Sequence, residues 1–79
     1  MTIEFTDSQL KSIASNLGFS EIDSYCVIED DLRIYGKEEN AYAEASLYID
    51  FKTKVIYVTV FFFNGEYLDG EEKKFILNF

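Results

Sequence analysis

Apolar residues recur at two spacings along these 79 residues, one helical and one alternating, and the change from the first to the second divides the chain. Leu10, Ile13, Ala14 and Leu17 follow the i, i+3, i+4, i+7 pattern of a single helical stripe. Thr6-Asp7-Ser8-Gln9 just before it fits a reciprocal capping box, with Phe5 and Leu10 at the positions of a hydrophobic staple. Gly18 supplies the left-handed residue that ends a helix, so the spacing predicts a helix from Asp7 to Leu17 with Phe19 folding back on it. Ahead of it, Ile3 and Phe5 alternate with polar neighbours as a short strand or extended arm would.

After Ser24 the chain reads as strands joined by turns and by a charged loop from Gly36 to Asn40. Tyr25-Cys26-Val27-Ile28 and Leu32-Arg33-Ile34-Tyr35 are β-prone runs on either side of Glu29-Asp30-Asp31, which predicts a small hairpin. From Ala41 to Phe51 the odd positions are apolar and the even ones mostly polar. After a turn at Lys52-Thr53, Lys54 to Phe63 is apolar on both faces. A loop of two or four residues here makes partner numbers sum to an odd number, so Ala43, Ala45, Leu47 and Ile49 should oppose Phe62, Val60, Val58 and Ile56 on a wholly apolar face. The other face then pairs Tyr48 with Tyr57, Ser46 with Thr59, Glu44 with Phe61 and Tyr42 with Phe63. Asn64 to Gly70 reads as one connection, and a last strand from near Glu72 adds Phe75, Leu77 and Phe79 to the core. The expected fold is α+β in one domain spanning residues 1–79, with an N-terminal helix on one face of a four- to five-stranded antiparallel sheet.

Charge narrows the range of partners. Fifteen Asp and Glu against seven Lys and Arg leave a net charge of −8, which repels nucleic acid and anionic lipid and suits a basic protein surface. With 48% apolar and 18% aromatic residues the chain has the composition of a folded domain. No apolar run approaches the ~20 residues a membrane helix needs, and the N-terminus lacks a basic region followed by an apolar one, so the expected setting is cytoplasmic with no membrane partner, and the usage of Phe, Tyr, Ile, Asn and Lys points to a bacterial cell or a phage-infected host.

Chemistry finds little purchase. There is no His to act as a base or metal ligand, and Cys26 has no second thiol; set in an alternating apolar run, it is expected to be buried and inert. None of the four glycines opens a phosphate-binding loop. The acidic clusters Glu29-Asp30-Asp31, Glu38-Glu39 and Glu66-Asp69-Glu71-Glu72 lack the spacing of a calcium loop and read as solvated turns. The expectation is a protein that is not an enzyme and takes no metal or cofactor. Tyr48, Tyr57, Phe61 and Phe63 invite comparison with sheets that stack RNA bases, but Glu44 and Asp50 share that face and the basic-Gly-aromatic motif is missing, so no direct nucleic-acid contact is expected.

The remaining reading uses the sheet face itself: aromatic area for contact, and carboxylates recurring every ~6.8 Å to meet Arg or Lys arrays. The anchors would be Tyr42, Glu44, Tyr48, Asp50 and Tyr57, with Glu29, Asp30, Asp31, Glu38 and Glu39 steering encounter. In size, acidity and want of catalytic groups the chain resembles small inhibitors made by phages and plasmids against nucleic-acid enzymes, such as anti-CRISPR proteins and nucleic-acid mimics. It also resembles immunity proteins that neutralise toxins. That likeness is of composition and size, not motif, and carries no site residues. It implies a non-enzymatic inhibitor that occludes a basic site on a nucleic-acid-processing enzyme or toxin. The alternatives are a homodimer joined through the aromatic face or an exposed edge strand and, third, a small-ligand carrier with an apolar cavity.

Overall fold

Local signals at the N-terminus are obeyed in the computed structural model, which describes residues 3–79. Helix α1 runs Asp7–Leu17, with Thr6 Oγ1 accepting from the Gln9 amide (3.2 Å) and Gln9 Oε1 accepting from the Thr6 amide (2.9 Å). Gly18 closes it at φ 73°, and the Phe19 amide donates to the Ala14 carbonyl at 2.9 Å, which turns Phe19 back into the core. Residues 3–6 form an extended arm rather than a strand; it is held where the Phe5 amide donates to the Tyr25 hydroxyl at 3.0 Å.

Six strands follow: β1 (Ile22–Ile28), β2 (Asp31–Gly36), β3 (Tyr42–Asp50), β4 (Val55–Phe63), β5 (Glu66–Tyr67) and β6 (Lys73–Asn78). All neighbours are antiparallel in the order β1-β2-β3-β4, with β5 and β6 end to end along the far side of β4. The sheet is therefore five strands wide although six segments build it. α1 lies near β1 and near β6, and Gln9 Nε2 donates to the Asn78 carbonyl at 2.7 Å. The sheet must curl about the helix for both of its ends to reach α1.

The inner face is the core. Ile13, Leu32, Ile34, Ile56, Val58 and Val60 are the largest side chains shut off from solvent, joined by Ala43, Ala45 and Leu77. Small Ala43 and Ala45 on β3 belong to the same buried cluster as Ile13 and Leu17 of the helix. At ~25 cal/mol per Å2, each fully buried Ile or Leu contributes about 1.5–3 kcal/mol.

The β3–β4 register follows the parity expectation only part of the way. Asp50↔Val55 through Ala45↔Val60 pair as expected, including Tyr48↔Tyr57 and Ser46↔Thr59. Beyond Ala45 the register shifts by one residue on β4, so Glu44 faces Phe62 and Ala43 faces Phe63, with Phe61 the extra residue. The expected pairs Ala43 with Phe62, Glu44 with Phe61 and Tyr42 with Phe63 are thereby overturned. Parity counts residues and cannot register an insertion into one strand. The shift sends Phe63 to the inner side, where it stacks on Phe19 (centroids 5.7 Å, planes 8° apart), and Phe62 to the outer side against Tyr42 (5.8 Å).

Three further expectations change. Residues Asn64 to Gly70 are not one loop: Asn64 and Gly65, at φ 49° and 96°, make a tight turn that pairs Phe63 with Glu66 and Phe62 with Tyr67. Phe79 does not extend the core; it is 56% exposed and stacks on exposed Phe51, and the buried series ends at Leu77. Cys26 is exposed, because Tyr25 and Val27 turn inward and leave Cys26 opposite Arg33 on the outer face of the terminal strand.

Candidate interaction face

The outer face of the sheet is built by the residues that alternate with the core. On β2, Leu32 and Ile34 are buried, so Arg33 and Tyr35 point out; on β3, the even residues do. None of the described elements lies over this face, since α1 packs on the inner one. The β1–β2 hairpin extends the sheet edge-on rather than folding across the aromatics, as its pairing to β3 requires.

Two aromatic groups result. Tyr35, Tyr42, Phe62 and Tyr67 form an unbroken file across β2, β3, β4 and β5, with centroid separations of 4.8, 5.8 and 5.0 Å. Six residues further along β3, or ~20 Å at strand rise, Tyr48 and Tyr57 make a second pair at 5.8 Å. Tyr48 is 66% and Tyr67 74% exposed, while Tyr42 is half-buried by its neighbours. Rings held in mutual contact lose little further side-chain freedom when a partner covers them.

Electrostatically the face differs from its surroundings. Glu44 lies 3.6 Å from Arg33 and against Tyr42, so its charge is partly neutralised within the sheet. Burial first, and Glu44 beside it second, push the Tyr42 hydroxyl up to about 12. Asp50 Oδ1 accepts from the Lys52 (2.9 Å) and Thr53 (3.3 Å) amides and so organises the β3–β4 turn at the margin of the face. The remaining negative charge sits at the rims.

Of the anchors expected from sequence, Tyr42, Glu44, Tyr48 and Tyr57 share this face, with Asp50 at its end. The steering residues are dispersed. Glu29 and Asp30 form the β1–β2 tip and Asp31 begins β2, whereas Glu38 and Glu39 lie in the β2–β3 loop at the opposite end of β2, ~17 Å away at strand rise. Glu38 also ties that loop down locally, since its Oε1 accepts from the Ser20 amide at 2.5 Å, and hydrogen bonding to Ser20 holds its carboxyl below the ordinary range.

Tyr35, Phe62, Tyr67 and Arg33 also belong to the face, as do Ile76 and Lys74 opposite Tyr57 and Thr59, and none of them was among the expected anchors. Signals for them existed. The alternation of Leu32 and Ile34 with Arg33 and Tyr35 marks the outer side of β2, and Asn64-Gly65, a strong two-residue hairpin dipeptide, predicts the Phe62–Tyr67 pairing.

A depression of about 610 Å3 lies between α1 and residues 19–22 and opens among exposed Asp7, Lys11 and Glu21. It is a surface groove, not an apolar chamber in the core. Among the described residues no cluster of three or more potential metal ligands occurs, and no helix is long and apolar enough to cross a membrane. Comparison with protein families, curated proteins and solved structures finds no match.

Proposed function

We propose that the protein is a non-enzymatic binding protein that covers a basic site on a partner protein with the outer face of its sheet. The single observation that carries this reading is the uncovered aromatic face itself: Tyr35, Tyr42, Phe62 and Tyr67 in continuous contact beside Tyr48 and Tyr57, on a chain of net charge −8. Exposed aromatic area of this extent marks an interface, and the acidic rims favour Arg and Lys around it. Partner guanidinium groups can stack on the exposed tyrosines at about 0.5–2 kcal/mol each. A nucleic-acid-processing enzyme or a toxin that binds polyanions presents such a surface, which makes an inhibitor or nucleic-acid mimic of the anti-CRISPR or immunity type the function we favour.

The test combines retention of a host protein on the immobilised chain with substitutions on the face. Near one-to-one retention that weakens with salt, and that Tyr48→Ala with Tyr57→Ala reduces at least tenfold while the circular dichroism spectrum is unchanged, supports the reading. Retention indifferent to both substitutions refutes it. A stable homodimer that Tyr48→Glu converts to monomer would instead assign the face to self-association.

A further inference from the structure

A different part of the surface, the outer edge of β1, carries a second inference that is independent of the aromatic face. Which backbone groups of β1 point outward follows from the ladder. The Gly36 amide donates to the Ala41 carbonyl and the Leu47 amide to the Asp30 carbonyl, both at 2.7 Å, so even residues of the β2 segment turn their backbone groups toward β3 and odd ones toward β1. Their β1 partners are Ser24, Cys26 and Ile28, which leaves the N–H and C=O groups of Tyr25 and Val27 directed away from the sheet. Nothing among the described residues pairs with them.

A seven-residue strand with one open edge invites another strand, and proteins commonly blunt such edges with lysine or proline. The β6 side follows that rule, with Lys73 and Lys74 on it and the Asn78 carbonyl taken by Gln9. β1 has neither Lys, Arg nor Pro. Its only irregularity is the register shift between Ile22 and Ser24. Beside its start lies the 610 Å3 groove, lined by apolar Leu10, Ala14, Phe19 and Ile22 together with charged Asp7, Lys11 and Glu21.

Charge decides what occupies the edge. Asp23 stands at one end and Glu29 and Asp30 at the other, and no Lys or Arg is within 4 Å of them among the described residues. A second copy paired antiparallel would bring the acidic tip of each chain beside Asp23 of the other, like charge against like. We infer that β1 adds an extended segment of a partner polypeptide that is apolar at its centre and carries Lys or Arg at both ends.

The probes are three fluorescent octapeptides sharing the centre Val-Thr-Val-Ile: one flanked by Lys-Arg pairs, one by Glu-Asp pairs, and one basic peptide N-methylated at alternate backbone nitrogens. The basic peptide should bind at least tenfold more tightly than the other two, and amide exchange should slow at Tyr25 and Val27. Val27→Pro deletes one outward donor without touching the β1–β2 ladder and should weaken binding at least tenfold. Should that variant not fold, the N-methylated peptide puts the same question to the unaltered protein. Tyr48→Ala with Tyr57→Ala should leave peptide binding unchanged, which separates this site from the aromatic face. Equal binding of the N-methylated peptide, or no binding of the basic peptide up to about 1 mM, overturns the inference. So does a dimer of the protein alone with Tyr25 and Val27 protected, since a second copy would then hold the edge.

Discussion

Gly36→Ala should be among the most damaging single-methyl additions in this protein, although Gly36 has an ordinary strand conformation. A Cβ there would stand 2.8 Å from the Ala41 Cβ, 2.8 Å from Phe19 Cδ2 and 2.9 Å from Phe19 Cγ, well inside contact distance on two sides. Neither neighbour yields easily. Ala41 is tied through its carbonyl to the Gly36 amide at 2.7 Å, and the buried Phe19 ring is stacked on Phe63. Forcing a methyl into such a site costs about 1–3 kcal/mol. Against a total stability of ~4–12 kcal/mol for a chain of this length, a loss of ~2 kcal/mol lowers the melting temperature by roughly 8–16 °C. Urea unfolding followed by circular dichroism reads the loss as a lower midpoint at unchanged slope. Ala41→Gly removes one of the two obstructions, so the double variant should lose less than the sum of the single losses by at least ~0.5 kcal/mol. Stability within ~0.5 kcal/mol of the parent for Gly36→Ala, or strict additivity in the double variant, would show that this corner repacks freely and refute the reasoning.

Other expectations follow from single features of the structure. Leu77→Ala should cost about 2–5 kcal/mol in the same unfolding assay and Phe79→Ala under about 1 kcal/mol, because Leu77 is 2% exposed whereas Phe79 is 56% exposed and stacks on exposed Phe51. Absorbance titration of tyrosinate should show a component near pH 12 that Tyr42→Phe removes. The folded state favours neutral Tyr42, so its contribution to stability is complete below pH ~10 and is lost as the pH rises through about 12; melting temperatures measured across that window should fall less in Tyr42→Phe. Cys26 should react stoichiometrically with a thiol reagent in the native state, whereas a reaction that requires denaturant would contradict its exposure. Glu29 holds φ 57° at the β1–β2 turn, and Glu29→Asn, which tolerates that conformation better, should raise stability by about 0.5 kcal/mol on urea unfolding.

What the sequence determines alone is what depends on near neighbours along the chain. The limits of α1, its capping box and its Gly18 terminus are set by contacts three or four residues apart, and they are found where the spacing places them. The β3–β4 pairing from Asp50↔Val55 to Ala45↔Val60 belongs to the same class, because turn length and side-chain alternation fix it from the hairpin outward. That much suffices to put Tyr42, Glu44, Tyr48 and Tyr57 on one face.

Only the tertiary structure decides the rest, and in each case the deciding contact joins residues far apart in sequence. Phe63 turns inward because Phe19, forty-four positions earlier, gives it a stacking surface; the register shift at Phe61 accompanies that choice and brings Phe62 out to Tyr42 and Tyr67. Cys26 and Phe79 are exposed although their local patterns are apolar, because Cys26 points to the outer face, which no described element covers, and the buried series on β6 ends at Leu77. Alternation assigns a residue to one of two sides of a strand. Whether anything covers that side is settled by which elements arrive there, and for the outer face none of the described elements does.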